Sequence, residues 1–126
     1  MIKKKKLLFV CAANLNRSPS FERYFKKNLP QFNVKSCGVY YGYPERLNEK
    51  LLEWADIVYV MDLSQEIFIA NTFKEYLKKV KVVGVSDQYD PDSFDLIEVI
   101  EFWINKNKMR DMSVKKKKVK YKGLED

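Results

Sequence analysis

The sequence contains no histidine. A catalytic cysteine or serine is often activated by an imidazole, and many zinc sites have histidine ligands. Both arrangements are therefore excluded for this chain, and we predict neither a metal ion nor a cofactor. Any reactive cysteine must be activated by groups other than histidine.

Cysteine is also scarce, since the chain has only Cys11 and Cys37. A small secreted domain held together by disulfides needs more, so we predict a cytoplasmic protein. No apolar run approaches the roughly 20 residues that cross a bilayer, which predicts the absence of a transmembrane segment. The start of the chain is basic and then apolar, but its apolar run, residues 7–13, leads directly into polar residues. We interpret it as a buried strand rather than a signal peptide.

Positive charge is unevenly distributed along the chain. The net charge of the 126 residues is +7, and residues 108–126 account for +5 of it, with eight Lys or Arg against three Asp or Glu. We therefore divide the chain into a near-neutral domain, residues 1–107, and a basic C-terminal extension, residues 108–126. The extension is interpreted as solvated. An added edge strand, or a contact with nucleic acid or an anionic surface, is the alternative.

Apolar periodicity predicts alternating strands and helices. Strands are predicted over residues 6–11, 32–36, 56–61 and 80–85, and helices over residues 17–28, 46–55, 64–73 and 93–105. Ser18 is predicted to cap the first helix, with Pro19 at its first position. This order predicts an α/β fold, a three-layer αβα sandwich with a four-stranded parallel sheet. Ligands of such sheets bind beyond the carboxyl ends of the strands.

The segment after the first predicted strand is typical of an anion site. It reads Cys-Ala-Ala-Asn-Leu-Asn-Arg-Ser over residues 11–18, and backbone N–H groups between a strand and a helix N-terminus attract anions. The same field favours a thiolate at Cys11, while Arg17 offers a planar fork for two phosphate oxygens. Ser18 is suited to donate a hydrogen bond to the sulfur, and Asn14 suits a left-handed turn in a tightly curled loop. The predicted phosphate-binding residues are Ala12, Ala13, Asn14, Leu15, Asn16, Arg17 and Ser18.

Four segments in order resemble the low-molecular-weight protein tyrosine phosphatases. They are residues 10–22 (Val-Cys-Ala-Ala-Asn-Leu-Asn-Arg-Ser-Pro-Ser-Phe-Glu), 35–38 (Lys-Ser-Cys-Gly), 54–62 (Trp-Ala-Asp-Ile-Val-Tyr-Val-Met-Asp) and 85–89 (Val-Ser-Asp-Gln-Tyr). The resemblance implies a two-step hydrolysis of phosphotyrosine proteins or small phosphate esters. Cys11 would take the phosphoryl group, an aspartic acid would protonate the leaving phenolate, and water would then hydrolyse the cysteinyl-phosphate.

Three aspartates follow the fourth predicted strand and are candidates for the general acid: Asp87, Asp90 and Asp92. We assign the role to Asp87. Asp87 lies nearest to the strand end, and Tyr89 follows where the family has an aromatic residue that stacks on a phenyl ring. Asp90 is the alternative, because it precedes Pro91 as the family's acid commonly precedes a proline. Asp92 or Ser93 fits the cap of the last helix.

The predicted phosphate loop, residues 11–18, departs from the family pattern at two positions. Ala13 stands at a position that is usually glycine, and Asn16 stands where a second cysteine is often found, so no disulfide with Cys11 can form within the loop. These departures indicate a divergent branch of the family.

The substrate pocket is predicted from apolar and aromatic residues near the loop. Its candidate walls are Leu15, Tyr40, Tyr41, Tyr43 and Tyr89. Two other functions remain open at the level of sequence. An arsenate reductase would use the same loop but needs partner thiols. Within the chain only Cys37 is available, and glutaredoxin-type thiols from another protein are the other source. A non-catalytic module that binds phosphoanions or nucleic acid would rely on the loop and the basic extension.

Overall fold

A computed structural model describes residues 3–40 and 45–112. Four strands form a parallel sheet in the order β2-β1-β3-β4, which confirms the predicted fold class. The strands are β1 (Lys5–Cys11), β2 (Phe32–Gly38), β3 (Ile57–Val60) and β4 (Val80–Val82), and the α-helices are α1 (Arg17–Asn28), α2 (Glu49–Trp54), α3 (Leu63–Thr72) and α4 (Phe94–Lys106). A 3₁₀ helix, Lys74–Lys79, separates α3 from β4.

The central strand β1 has side chains buried on both of its faces. Leu7, Phe9 and Cys11 belong to one hydrophobic cluster with residues of α1 and α4. Leu8 and Val10 belong to a second cluster with residues of α2 and α3. Because side chains alternate along a strand, this apolar run places the sheet between two helical layers and makes β1 its centre.

The helix that follows the phosphate loop begins differently from the prediction. Asn16, not Ser18, is the N-cap residue of α1, and Arg17 is already helical. The prediction of Ser18 as the cap was wrong because its hydroxyl is hydrogen-bonded around Cys11 instead. Pro19 becomes the third helical residue, where a missing N–H still costs little, since the first four N–H groups of a helix have no internal partner.

The end of the described chain packs against the domain. Met109 is 1% exposed and lies in the cluster of α1 and α4, and Met112 packs against that cluster. Packing therefore continues beyond the predicted boundary at residue 107, at least as far as Met112. The rest of the predicted extension, residues 113–126, lies outside the described part. Across residues 3–40 and 45–112, none of the helices has both the length and the apolar character that a membrane span requires.

Candidate active site

The loop between β1 and α1 curls around the thiol of Cys11. Cys11 is the last residue of β1 and is 2% exposed. Asn14 has a φ of 58°, which confirms the predicted left-handed residue. This turn directs the backbone N–H of Asn14 toward Cys11 Sγ at 3.2 Å. A backbone donor and the start of α1 therefore face the sulfur, as a stabilised thiolate requires.

Ser18 completes the surroundings of the sulfur. Its Oγ lies 3.0 Å from Cys11 Sγ, 3.0 Å from Asn14 Oδ1 and 3.1 Å from the carbonyl oxygen of Cys37. The single hydroxyl proton thus has three neighbouring acceptors. When Cys11 is a thiolate, its charge makes it the strongest of them, so Ser18 is placed to stabilise a negative sulfur.

The phosphate loop lies directly against the end of β2 at Gly38. A Cβ at this position would lie 2.6 Å from the backbone nitrogen of Asn14 and 2.7 Å from the carbonyl carbon of Ala13. The next residue, Val39, donates its N–H to the carbonyl oxygen of Ala12 at 2.8 Å. Only glycine allows the loop and the strand to approach this closely, which explains the glycine in the Lys-Ser-Cys-Gly segment.

The guanidinium of Arg17 is held from two sides. The residue is 3% exposed, and its Nη1 donates to Asp62 Oδ2 and to the carbonyl oxygen of Val85, both at 2.8 Å. Both bonds use Nη1. Among residues 3–40 and 45–112 the Nε and Nη2 groups have no protein acceptor, so they can bind two oxygens of a phosphate.

Asp62 is a site residue that sequence reasoning did not select. It follows β3 and caps α3, accepting from the N–H of Ser64 at 2.9 Å. Burial alone would raise its pKa, but hydrogen bonds from Arg17 and Ser64, with the Arg17 charge, hold that pKa below its usual value. The available signal was positional, because Asp62 follows a strand at the edge where Cys11 ends β1.

A cavity of about 250 Å³ opens over the sulfur. Its lining residues are Cys11, Ala12, Ala13, Leu15, Asn16, Arg17, Tyr40 and Asp87. The predicted nucleophile, phosphate clamp and general acid thus lie at one cavity. Leu15 and Tyr40 are 51% and 55% exposed, so apolar surface lies at its rim.

Not every predicted pocket residue reaches this cavity. Tyr89 packs against the cluster of α1 and α4 and lines a different depression beside Phe102. The structure therefore does not bring Tyr89 to the sulfur. Tyr41 and Tyr43 fall between the two described stretches.

The alternative aspartates lie away from the cavity. Asp90 and Asp92 are exposed, and neither lines it. Asp92 forms an ion pair with Arg23, whose Nη2 lies 2.6 Å from Asp92 Oδ2. Ser93 caps α4 by accepting from the N–H of Leu96 at 3.2 Å, one of the two cap assignments the sequence allowed. Asp87 alone of the three candidates faces the sulfur's cavity.

Cys37 lies in the hydrophobic cluster on the other face of the sheet from Cys11. It is 0% exposed, and burial, with Cys11 and Glu45 nearby, raises the pKa of its thiol. It is therefore a packed thiol. No group of three or more potential metal ligands occurs in the part of the chain that the structure describes.

Comparison with known proteins gives one curated relative and several solved structures. The low-molecular-weight protein-tyrosine-phosphatase Ptp of Acinetobacter johnsonii is 30% identical over 92 residues, covering 55% of this chain and 65% of the relative. The chain thus matches less than two thirds of that relative's length. No protein-family model matches the chain.

The solved structures match over most of the chain. A mutant of YwlE from Bacillus subtilis has a TM-score of 0.69 and 26% identity, covering 86% of this chain and 99% of its own. YwlE arginine phosphatase from Geobacillus stearothermophilus has a TM-score of 0.66 and 22% identity over 86% of this chain and 96% of its own. The tyrosine phosphatase Wzb from Escherichia coli K30, in complex with phosphate, has a TM-score of 0.66 and 19% identity over 85% of this chain and 96% of its own. At under 25% identity, the last two show the fold alone.

The sequence segments, the sheet order and these likenesses agree with one another. The loop around Cys11 lies between the central strand and α1. The chain is similar in sequence to the Acinetobacter relative and in structure to the YwlE mutant. The chain is thus similar in sequence to a low-molecular-weight protein-tyrosine-phosphatase, over 65% of that relative's length, and similar in fold to YwlE and Wzb.

Proposed function

We propose that this protein is a cysteine-dependent phosphatase that hydrolyses phosphate monoesters of the phosphotyrosine type. The observation that carries the proposal is the cavity in which the Cys11 sulfur, the buried Arg17 guanidinium and the Asp87 carboxyl lie together. A nucleophile, a fixed cation and a proton donor are the groups that phosphoryl transfer to sulfur requires.

In the first step, the sulfur of Cys11 attacks phosphorus while the bond to the leaving phenolate oxygen breaks. Arg17 and the loop N–H groups bind the phosphoryl oxygens, with Arg17 held by Asp62 and Val85. Such donors stabilise transition-state charge without reorganising. Asp87, in its protonated form, donates its proton to the departing phenolate oxygen and becomes a carboxylate.

In the second step, water attacks the phosphorus of the cysteinyl-phosphate and the S–P bond breaks. The Asp87 carboxylate accepts the proton of the attacking water. The sulfur departs as a thiolate, beside the Ser18 hydroxyl and the Asn14 N–H. Phosphate is released and Asp87 is again protonated, so the cycle closes.

The basic activity is tested with p-nitrophenyl phosphate. We expect hydrolysis that vanadate inhibits, and we expect Cys11→Ser to abolish it. Cys37→Ala is the matched control, because Cys37 lies in the opposite cluster. Absence of hydrolysis by the folded wild-type protein, or a Cys11→Ser rate equal to that of the wild type, refutes the proposal.

The role of Asp87 is tested through the leaving group. Phenyl phosphate has a more basic leaving group than p-nitrophenyl phosphate and so depends more on protonation. Asp87→Asn should lower turnover of phenyl phosphate far more than turnover of p-nitrophenyl phosphate. Asp90→Asn, at an exposed residue that does not line the cavity, should leave the ratio of the two turnover rates unchanged. Normal turnover of phenyl phosphate by Asp87→Asn removes Asp87 from this role.

The class of substrate is proposed from the rim of the cavity. Leu15 and Tyr40 offer apolar surface, which suits an aromatic ring better than a guanidinium. YwlE from Geobacillus stearothermophilus, which has a similar fold, is an arginine phosphatase, so the substrate panel compares phosphotyrosine, phosphoarginine and phosphoserine peptides. We expect phosphotyrosine to be hydrolysed fastest; faster hydrolysis of phosphoarginine contradicts this preference.

The other functions considered have less support. An arsenate reductase needs a partner thiol, and Cys37 is fully buried on the opposite face of the sheet.

A contact of the basic extension with nucleic acid or an anionic surface stays a prediction, since residues 113–126 are not described. Salt-sensitive binding that disappears when residues 108–126 are deleted would support it. The cytoplasmic location likewise stays a prediction.

A further inference from the structure

Asn16 has an unusual use for an N-cap residue. Asparagine at this position normally accepts a hydrogen bond from the N–H of the second or third helical residue. Asn16 makes no such bond in α1, and the third helical residue, Pro19, has no N–H to offer. Instead, the Nδ2 of Asn16 donates to the carbonyl oxygen of Tyr89 at 3.3 Å. The side chain connects two loops that lie 73 residues apart in sequence.

The segment it reaches carries the proposed general acid. We call residues 85–89 the acid loop. Arg17 donates to the carbonyl oxygen of Val85 at its first residue, and Asn16 donates to that of Tyr89 at its last. Asp87 lies midway between these two contacts and is itself exposed. Two consecutive residues of the phosphate loop therefore hold the acid loop on both sides of the carboxyl.

We propose that Asn16 is a positioning residue for the general acid, and that its side chain keeps Asp87 over the bound phosphate ester. This inference rests on the proposed role of Asp87. Arg17 must serve the phosphate as well as Val85, whereas the amide of Asn16 is committed to the acid loop. Small displacements of a catalytic group reduce rates strongly, so one tether at this place has a kinetic effect.

The effect is confined to the step in which Asp87 gives its proton to the leaving oxygen as the P–O bond breaks. A misplaced acid slows the release of a basic leaving group more than that of p-nitrophenolate. The measured quantity is therefore the ratio of kcat/KM for phenyl phosphate to kcat/KM for p-nitrophenyl phosphate. General damage to the fold or to phosphate binding lowers both values and leaves their ratio unchanged.

The test compares Asn16→Leu, which has similar size but no donor, with Asn16→Gln, which keeps the amide. Asn16→Ala serves as a second donor-free variant if Asn16→Leu does not fold by circular dichroism. We expect the ratio to fall about three- to tenfold in the donor-free variant, the effect of one hydrogen bond. Asn16→Gln should recover part of that fall. An unchanged ratio in the donor-free variant overturns the inference.

A double-mutant cycle with Asp87→Asn identifies the route of the effect. If Asn16 acts through Asp87, the donor-free substitution should not lower the ratio further in the Asp87→Asn background. An equal fall in both backgrounds overturns the inference. Asp87→Asn also separates the two hypotheses, because an unchanged ratio in that variant refutes the acid role itself. A fall in Asp87→Asn without one in the donor-free variant refutes only the role of Asn16.

Discussion

At the scale of the residue, the ion pair between Arg17 and Asp62 orients the guanidinium that we propose as the phosphate clamp. Arg17 is almost fully buried, while the Asp62 side chain is 41% exposed. A buried guanidinium without a partner is costly, and the Asp62 carboxylate compensates the charge of Arg17. The pair also holds the planar group in one orientation. The same ion pair therefore contributes both to the stability of the fold and to the orientation of the Arg17 guanidinium in the site.

The pH dependence of stability should report this pair. Because the pKa of Asp62 is lowered in the folded state, the unfolded chain takes up the proton first as the pH falls. The stabilisation is therefore present above the unfolded value of about 3.9 and is lost as the pH falls through the lowered folded value.

Urea unfolding of the wild type and Asp62→Asn measures this effect between pH 7 and pH 3. Asparagine is also a good N-cap, so the variant keeps the cap of α3. We expect the wild type to be more stable at pH 7 and the difference to shrink toward pH 3. A difference that stays constant over this range contradicts the account.

The Ser18 hydroxyl should act mainly on the second chemical step. Ser18→Ala removes the donor 3.0 Å from the sulfur, so the thiolate becomes a poorer leaving group and kcat should fall about 10- to 100-fold, as expected for a hydrogen bond to a charged group. Stopped-flow assays should then show a burst of p-nitrophenolate. Ser20→Ala is the matched control, because that buried hydroxyl accepts from the N–H of Asp92. Unchanged kcat in Ser18→Ala is the contrary result.

At the scale of the element, the phosphate loop depends on its contact with β2. β1 and β2 pair in parallel so that Cys11 lies opposite Gly38, and the loop then passes over the end of β2. The backbone of residues 12–14 occupies the space where a side chain of residue 38 would lie. The shape of the site is therefore determined partly by a strand that carries none of the predicted catalytic groups.

Gly38→Ala should damage both stability and phosphate binding. Its Cβ would meet backbone atoms at 2.6 and 2.7 Å, and a backbone cannot move aside as a flexible side chain can. We expect a loss of about 1–3 kcal/mol, as for other overpacked positions, measured by urea unfolding. Vanadate affinity, measured where the variant is folded, should fall as well. Wild-type affinity in the variant shows that the loop tolerates the added methyl group.

The sequence predicted the order and type of the elements better than their ends. The strand that ends at Cys11 was correctly placed, because its apolar run is short and is followed by polar residues. The last strand was predicted over residues 80–85, whereas β4 contains only Val80–Val82. Val85 leaves the sheet, and its carbonyl oxygen accepts from Arg17. Tertiary hydrogen bonds of this kind leave no periodic signal in a sequence.

The same limit applies to the candidate site. The composition and position of the loop predicted Cys11 and Arg17, and strand order predicted that Asp87 would lie at the same edge. Asp62 was missed because its segment indicated only a strand and a helix start. The tie from Asn16 to Tyr89 depends on two loops far apart in the chain, which sequence spacing alone does not bring together.

At the scale of the whole molecule, two hydrophobic clusters lie on opposite faces of the sheet. In the cluster with α1 and α4, the ring of Phe9 is stacked on Tyr59 and tilted against Phe21, and Trp103 packs against it edge-on. This cluster also contains Cys11 and Met109. The site thus rests on the same core as the end of the described chain, so the residues after α4 belong to the packed unit.

Substitution of Met109 tests this view of the domain. Met109 is 1% exposed and its sulfur lies 3.9 Å from the Tyr59 hydroxyl oxygen. Met109→Ala should lower the free energy of unfolding by about 2–5 kcal/mol, the usual cost of such a core cavity. Phe102→Ala is the control, since Phe102 is 67% exposed, and it should change stability by about 0.5 kcal/mol or less. Equal, small effects of both would support the predicted domain boundary at residue 107.

We propose that Cys11 carries the phosphoryl group during turnover, and acid quenching can trap that intermediate. Wild-type protein is mixed with p-nitrophenyl phosphate, quenched within milliseconds, digested and mapped by mass spectrometry. We expect one added phosphoryl group on the peptide that contains Cys11, with a higher yield in Ser18→Ala. Hydrolysis without phosphorylation of Cys11 in either protein, or hydrolysis that survives Cys11→Ser, would contradict it.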